Sequence, residues 1–195
     1  MKTQAILHEF ATALAFRPDG LLLVLSTPKY VPVAQRHPGP DQTKMEIWDW
    51  RNGIVRRTLP VPVVGSNTLT ALWRFALSAD GRRIALLDSA RRNLSLWNGD
   101  LTEELGQLPM PADTDSVSLS PDGRRIATTA ADTTVRIWDA QRRQLVLTLT
   151  DDDRHAGSAV FTPDGRLIAA RSSGGLTIWE TNKPPCSFCP SLHRD

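Results

Sequence analysis

Ser120-Pro121-Asp122-Gly123-Arg124-Arg125-Ile126-Ala127-Thr128-Thr129, followed after one short turn by Thr134-Val135-Arg136-Ile137-Trp138-Asp139, is the stretch that sets the architecture. Pro121 fixes φ at the first corner of a type I turn, and Gly123 lets the chain leave it. Residues 125–129 and 134–138 are β-branched and aromatic in the manner of strands. Residues 116–119 before the turn alternate, and residues 144–149 read as a fourth strand beyond a turn at Ala140-Gln141-Arg142. No window shows a convincing period of 3.6, so helices are not expected.

The same phrase comes round four times. Its turn recurs as Phe16-Arg17-Pro18-Asp19-Gly20, Leu77-Ser78-Ala79-Asp80-Gly81 and Phe161-Thr162-Pro163-Asp164-Gly165. Its third strand recurs as Glu46-Ile47-Trp48-Asp49, Ser95-Leu96-Trp97-Asn98 and Thr177-Ile178-Trp179-Glu180. Gly81, Gly123 and Gly165 fall 42 residues apart, and Trp97, Trp138 and Trp179 fall 41 apart. The first interval is longer. A proline-rich insertion loop over 27–43 and a second insertion over 59–67 account for the excess. Four short antiparallel strands per ~40 residues is one propeller blade. Inner strands buried on both flanks explain runs that do not alternate, such as Ile84-Ala85-Leu86-Leu87.

Composition narrows the function classes. The chain has 195 residues, 41% hydrophobic and 23% charged, which is ordinary for a folded protein. A net charge of +2 argues for neither nucleic acid nor membrane, and the five Arg-Arg pairs are dispersed rather than gathered. The longest aliphatic run, 21–25, is far short of the ~20 residues of a membrane span, and no signal peptide is read at the N-terminus. Both cysteines, Cys186 and Cys189, lie in the tail, so the body needs no disulfide and a cytoplasmic location is expected.

The paired turn and Ile-Trp-Asp ending, four times over, resemble the WD-repeat β-propeller family across roughly residues 1–181. The resemblance implies an all-β fold of four WD-type blades, with residues 182–195 as a flexible tail. The family usually closes about seven blades, so this chain is expected to be an open arc or partial propeller. Three readings stay open: a piece of a larger ring, two copies joined, or four blades closed alone. Residues 2–7 resemble an outer strand that would clasp the last blade. In the family a His, a Ser or Thr, an Asp and the Trp staple each blade. The resemblance carries this over only in part, to Asp132 and Trp138 with Thr128 or Thr129. Trp48, Trp97, Trp138, Trp179 and Asp132 are thus the expected structural anchors. Trp50 and Trp73 lie outside the repeat positions.

No catalytic motif is present, and neither cofactor nor metal is expected. Asp19, Asp80, Asp122 and Asp164 fit a turn role, bonding local amides. Asp151-Asp152-Asp153-Arg154-His155 is the densest polar cluster; it suits a divalent cation, with a solvated loop as the plainer reading. Stacked blades would gather this loop, Asp113 and Asp115 on one acidic face with Asp132. Asp113, Asp115, Asp152, Arg154 and His155 are therefore the candidate partner-binding residues. The opposite face gathers arginines interleaved with aspartates. Cys186, Cys189 and His193 have zinc-like spacing but supply one ligand too few. The function expected is a non-catalytic scaffold presenting blade loops to a protein partner, with self-association through exposed blade ends as a further expectation. The alternatives are a metal-dependent or enzymatic site on the acidic face, or a truncated propeller fragment without independent function.

Overall fold

The computed structural model describes residues 10–27, 43–61, 74–88, 92–111, 114–150, 157–172 and 175–180. They form fifteen strands and, among the described residues, no helix. Blade 1 comprises β1 (Phe10–Phe16), β2 (Leu22–Thr27), β3 (Lys44–Asp49) and β4 (Ile54–Pro60). Blade 2 comprises β5 (Arg74–Leu77), β6 (Arg83–Leu87), β7 (Asn93–Asn98) and β8 (Glu104–Pro109). Blade 3 comprises β9 (Thr114–Leu119), β10 (Arg125–Ala130), β11 (Thr134–Asp139) and β12 (Gln144–Thr150). Blade 4 shows three strands, β13 (Ser158–Phe161), β14 (Leu167–Ser172) and β15 (Gly175–Glu180). Each sheet is antiparallel in chain order. The insertion expected from residue 59 begins later: Leu59 and Pro60 complete β4, and Val61 is buried against blade 2. Pro60 is tolerated there because β4 is an outer edge strand, with no further strand asking for its missing N–H. Residues 2–7, the rest of both insertions and the tail lie outside the described residues.

Register explains why every sheet buries both flanks. Ile126 pairs with Trp138, Ile84 with Trp97, Ile168 with Trp179 and Leu22 with Trp48. With this pairing, odd and even positions face different neighbours. Between blades 1 and 2, Leu23, Leu25, Met45 and Ile47 meet Ile84, Leu86, Phe75, Leu77 and Trp97. Between blades 2 and 3, Ala85, Leu87, Leu94 and Leu96 meet Leu119, Ile126 and Trp138. Between blades 3 and 4, Ala127, Val135 and Ile137 meet Ala159, Ile168, Phe161 and Trp179. Each blade thus has a near face toward the blade before it, carrying the tryptophan, and a far face toward the blade after it. Among the described residues the blades touch in chain order and the sheets do not close into a ring.

The Asp-Gly turns stack as well. All four glycines take a positive φ, from 66° to 81°, and each turn closes with an N–H to the carbonyl three residues back. A Cβ on Gly81 would sit 2.7 Å from Pro18 Cδ of blade 1, and one on Gly165 would touch Pro121 of blade 3. Blade 2 has Ala79 where the others have proline. There Gly123 instead meets the stem of Arg83, whose guanidinium donates to Gly123 O at 3.0 Å. Each turn is thus seated on the previous one.

A matched pair of substitutions tests that seating. Gly53 has φ +68° with nothing within 4 Å of an added Cβ, so Gly53→Ala costs the left-handed penalty alone, about 1 kcal/mol. Gly81→Ala adds the displacement of Pro18 and is expected to cost roughly 2–3 kcal/mol in urea unfolding. Equal losses would show that the turns do not bear on one another.

Candidate functional site

The four tryptophans occupy equivalent places but satisfy their indole N–H differently. Trp138 is buried, and its Nε1–H donates 2.9 Å to Thr128 Oγ1 on the adjacent strand. The register puts Val24, Leu86 and Ala170 at the Thr128 position of the other blades, where no hydroxyl exists. Trp48 donates instead to Glu46 Oε2 at 3.1 Å, and Trp97 to Ser95 Oγ at 3.2 Å, each two residues back on its own strand. A buried N–H needs an acceptor, and the same-face neighbour at i−2 is the nearest place in a strand to put one. Glu46 is itself buried and also held by Thr58 at 3.3 Å and Lys44 at 3.2 Å. This substitution was open to a reading of the β3 and β7 sequences, since Glu46 and Ser95 are the polar residues at that offset.

Asp132 sits in the turn between β10 and β11, and its carboxylate binds Thr134 through N–H (3.2 Å) and Oγ1 (2.6 Å) and pairs with Arg136. The Arg136 hydrogen bond, against some desolvation and with help from Thr134, pulls the Asp132 pKa down to about 2. These bonds fix the turn between β10 and β11. A second hydroxyl pair, Ser116 Oγ with Thr129 Oγ1 at 2.8 Å, lies on the far face and reaches Ala159 N–H of blade 4 at 3.4 Å. Asp115 is half-exposed and lies 3.7 Å from Arg74 of blade 2. Asp113, Asp152, Arg154 and His155 lie outside the described residues, as do Asp151, Asp153 and Trp73.

At the opposite end, the turn aspartates are taken up locally. Asp80, Asp122 and Asp164 each accept a hydroxyl bond, from Ser78, Ser120 and Thr162, and an N–H two residues on. Desolvation opposes the ionised form of Asp122, but the Arg124 N–H and Ser120 outweigh it and hold its pKa below the ordinary value. For Asp164 the Thr162 hydroxyl is the main cause of the same downward shift. Arg124, Arg142 and Arg166 extend from this end with side chains 82%, 79% and 73% exposed, at 3.9–4.0 Å from their aspartates. Such long, exposed pairs contribute little to stability and leave the guanidinium groups available to solvent.

Other arginines join blades. Arg17, with a side chain only 10% exposed, pairs with Asp19 of its own turn and reaches Asp100 at 2.9 Å and Gly99 O in blade 2. Burial works against its charge, and the two aspartates more than compensate, raising its pKa. Arg57 donates to Leu101 O of blade 2 at 3.4 Å. Trp50 is half-buried at the near edge of blade 1; its Nε1–H donates 3.0 Å to Gly20 O. Its ring meets Phe16 edge-on at 6.4 Å, with the Arg51 guanidinium 5.0 Å from the ring centroid.

Two variants examine these roles. Thr128→Val keeps the shape but orphans the buried Trp138 N–H, so a loss of about 1–3 kcal/mol is expected in denaturant melts. A loss under about 0.5 kcal/mol would show that the indole finds another acceptor. For Asp132, the folded pKa near 2 lies below the ordinary 3.8, so its contribution is present above that value and is lost as pH falls toward 2. Asp132→Asn should flatten this acid limb. The side chain is 48% exposed, so the difference is expected to stay under about 1 kcal/mol.

Comparison with known proteins bears on the whole arrangement. Residues 110–139, covering β9 to β11, match the family model described as WD domain, G-beta repeat. An uncharacterised WD repeat-containing protein of Synechocystis is 33% identical over 103 residues, 51% of this chain. The chain spans 28% of that relative's length. In the described residues no helix is long and apolar enough to cross a membrane. The fourfold phrase, the stacked four-stranded sheets and these two matches liken the chain to WD-repeat proteins, whose repeats are generally non-catalytic protein-interaction scaffolds.

Proposed function

We propose that this chain is a non-catalytic scaffold that holds the loops of neighbouring blades in fixed relation for a protein partner. The observation that carries the reading is the packing of each sheet on the next, as where Leu94 and Leu96 meet Leu119 and Trp138, which supports the loops at both ends of the blades. Loops tied to a rigid support can present side chains without losing much freedom on binding. The partner-facing loops are those carrying Asp113, Asp115, Asp152, Arg154 and His155, and the acidic residues among them suit a basic protein surface. Self-association through the blade ends belongs to the same reading. The confinement of both cysteines to the tail supports a cytoplasmic setting.

Photoreactive side chains placed singly at Asp113, Asp152 and Val146 test the scaffold. Val146 is an exposed residue of the outer strand β12. A discrete cross-linked partner is expected in cell extract from the two loop positions and not from Val146. Adducts from Val146 alone, or no adduct from either loop, would overturn the assignment of the binding end.

A further inference from the structure

The two ends of the arc are halves of the joint that the chain makes three times internally. On the far face of blade 4, Leu176 and Ile178 are 65% and 56% exposed, whereas their equivalents Val135 and Ile137 in blade 3 are 1% and 4% exposed. The corresponding Leu94 and Leu96 of blade 2, and Met45 and Ile47 of blade 1, are equally covered. Val160 on the inner strand adds a third apolar group to this face, 54% exposed. On the near face of blade 1, the inner strand is the open part. Leu14 and Phe16 are 61% and 64% exposed. Their equivalents in the other blades, Phe75 and Leu77, Val117 and Leu119, and Ala159 and Phe161, all pack against the blade before them.

We propose that a second copy of this chain occupies these ends, the far face of blade 4 in one copy seating on the near face of blade 1 in the other. The faces are complementary because each reproduces one side of the Leu94–Leu96 against Leu119–Trp138 joint inside the chain. A contact between unlike faces is heterologous, and it closes into a ring when the rotation allows. Two four-blade arcs joined twice give eight blades, within the range that propellers adopt.

Two substitutions enlarge the apolar surface at the ends relative to the internal joints. Val160 stands where the other inner strands have Ala15, Ala76 and Ser118. Trp50 stands where blades 2 and 3 have Gly99 and Ala140, and it lies against Phe16 with Arg51 on its ring. Association of separate copies costs translational and rotational freedom that tethered blades do not lose. Tryptophan and arginine are the side chains that most often supply the extra contact energy at such a junction.

Unlike faces give a test with a distinctive outcome. Light scattering of the full chain should report twice 21.5 kDa at micromolar concentration. Phe16→Glu and Ile178→Glu alter exposed residues, so each should keep the β circular dichroism spectrum. Each alone removes every joint, because every joint needs one near and one far face. Dimerisation should therefore weaken at least about tenfold in each variant. An equal mixture of the two retains one intact near face and one intact far face, and should recover a one-to-one dimer. The proposal is overturned if the wild-type chain stays at 21.5 kDa, which would leave these faces to further blades or to a different protein. It is overturned equally if Phe16→Glu dimerises as well as wild type, or if the mixture does not pair.

Discussion

Burial of both flanks of each sheet by its neighbours is the constraint on which the rest depends. A four-stranded sheet standing alone would expose two apolar faces, and among the described residues no helix covers either. The answer is to lay one sheet against the next, so that Met45 and Ile47 of one meet Phe75 and Leu77 of the following. Strand alternation then assigns every inner residue to one neighbour or the other. Non-alternating runs such as Ile84-Ala85-Leu86-Leu87 are the consequence, since every position in β6 is interior to some pair of blades. The outer strands β4 and β12 escape this demand and are mostly exposed along their length.

Polar groups are arranged around that apolar stack rather than in place of it. The aspartates of the Asp-Gly turns are spent on amides and hydroxyls two residues away, where they hold the turn closed. A turn so held can lie close to its neighbour, and the glycine's missing Cβ lets Pro18, Arg83 and Pro121 approach. Arg17 is the exception in depth. It sits mostly buried between blades 1 and 2 and survives there because Asp19, Asp100 and a carbonyl share its charge. A buried guanidinium with three acceptors is compatible with a packed joint; with one it would not be.

Much of this was legible in the sequence because the repeat announces it. The strands expected at 116–119, 125–129, 134–138 and 144–149 in blade 3 fall within two residues of β9 to β12. The open arc followed from four phrases in a family that closes more. Less legible was the partner of each tryptophan. Resemblance pointed to a hydroxyl on the second strand, and at the position beside the tryptophan only blade 3 has one, where the others have Val24, Leu86 and Ala170. Blades 1 and 2 reach the same end through Glu46 and Ser95, by a local rule of strand geometry rather than a family rule. The blade-joining arginines were not separable from their neighbours by composition. Arg17 and Arg124 both flank an Asp-Gly turn, yet one is buried between blades and the other 82% exposed. That difference comes from what the next blade's turn offers, a long-range fact that no local pattern carries. The acidic loops could be read as a cluster, but two of its members are drawn to arginines: Asp115 lies beside Arg74 of the adjoining blade and Asp132 pairs with Arg136.

The ends of the arc show how far the repeat logic reaches. Repeat arrays that stand alone usually finish in units with polar outer faces, because a terminal face meets water rather than another repeat. Here the outward faces of the first and fourth blades keep their apolar character: Leu14 and Phe16 on one, Val160, Leu176 and Ile178 on the other. A sequence freed from packing would be expected to drift toward polar residues at those positions, as charged and polar side chains cost nothing in water. Instead the inner strand of blade 4 gains Val160 where its equivalents are alanine or serine, and the first blade gains Trp50 where blades 2 and 3 have glycine and alanine. Residues larger and more apolar than their counterparts at the internal joints are what a face needs when its cover is not tethered to it. The same constraint that lays blade on blade within the chain therefore acts on its two outermost faces.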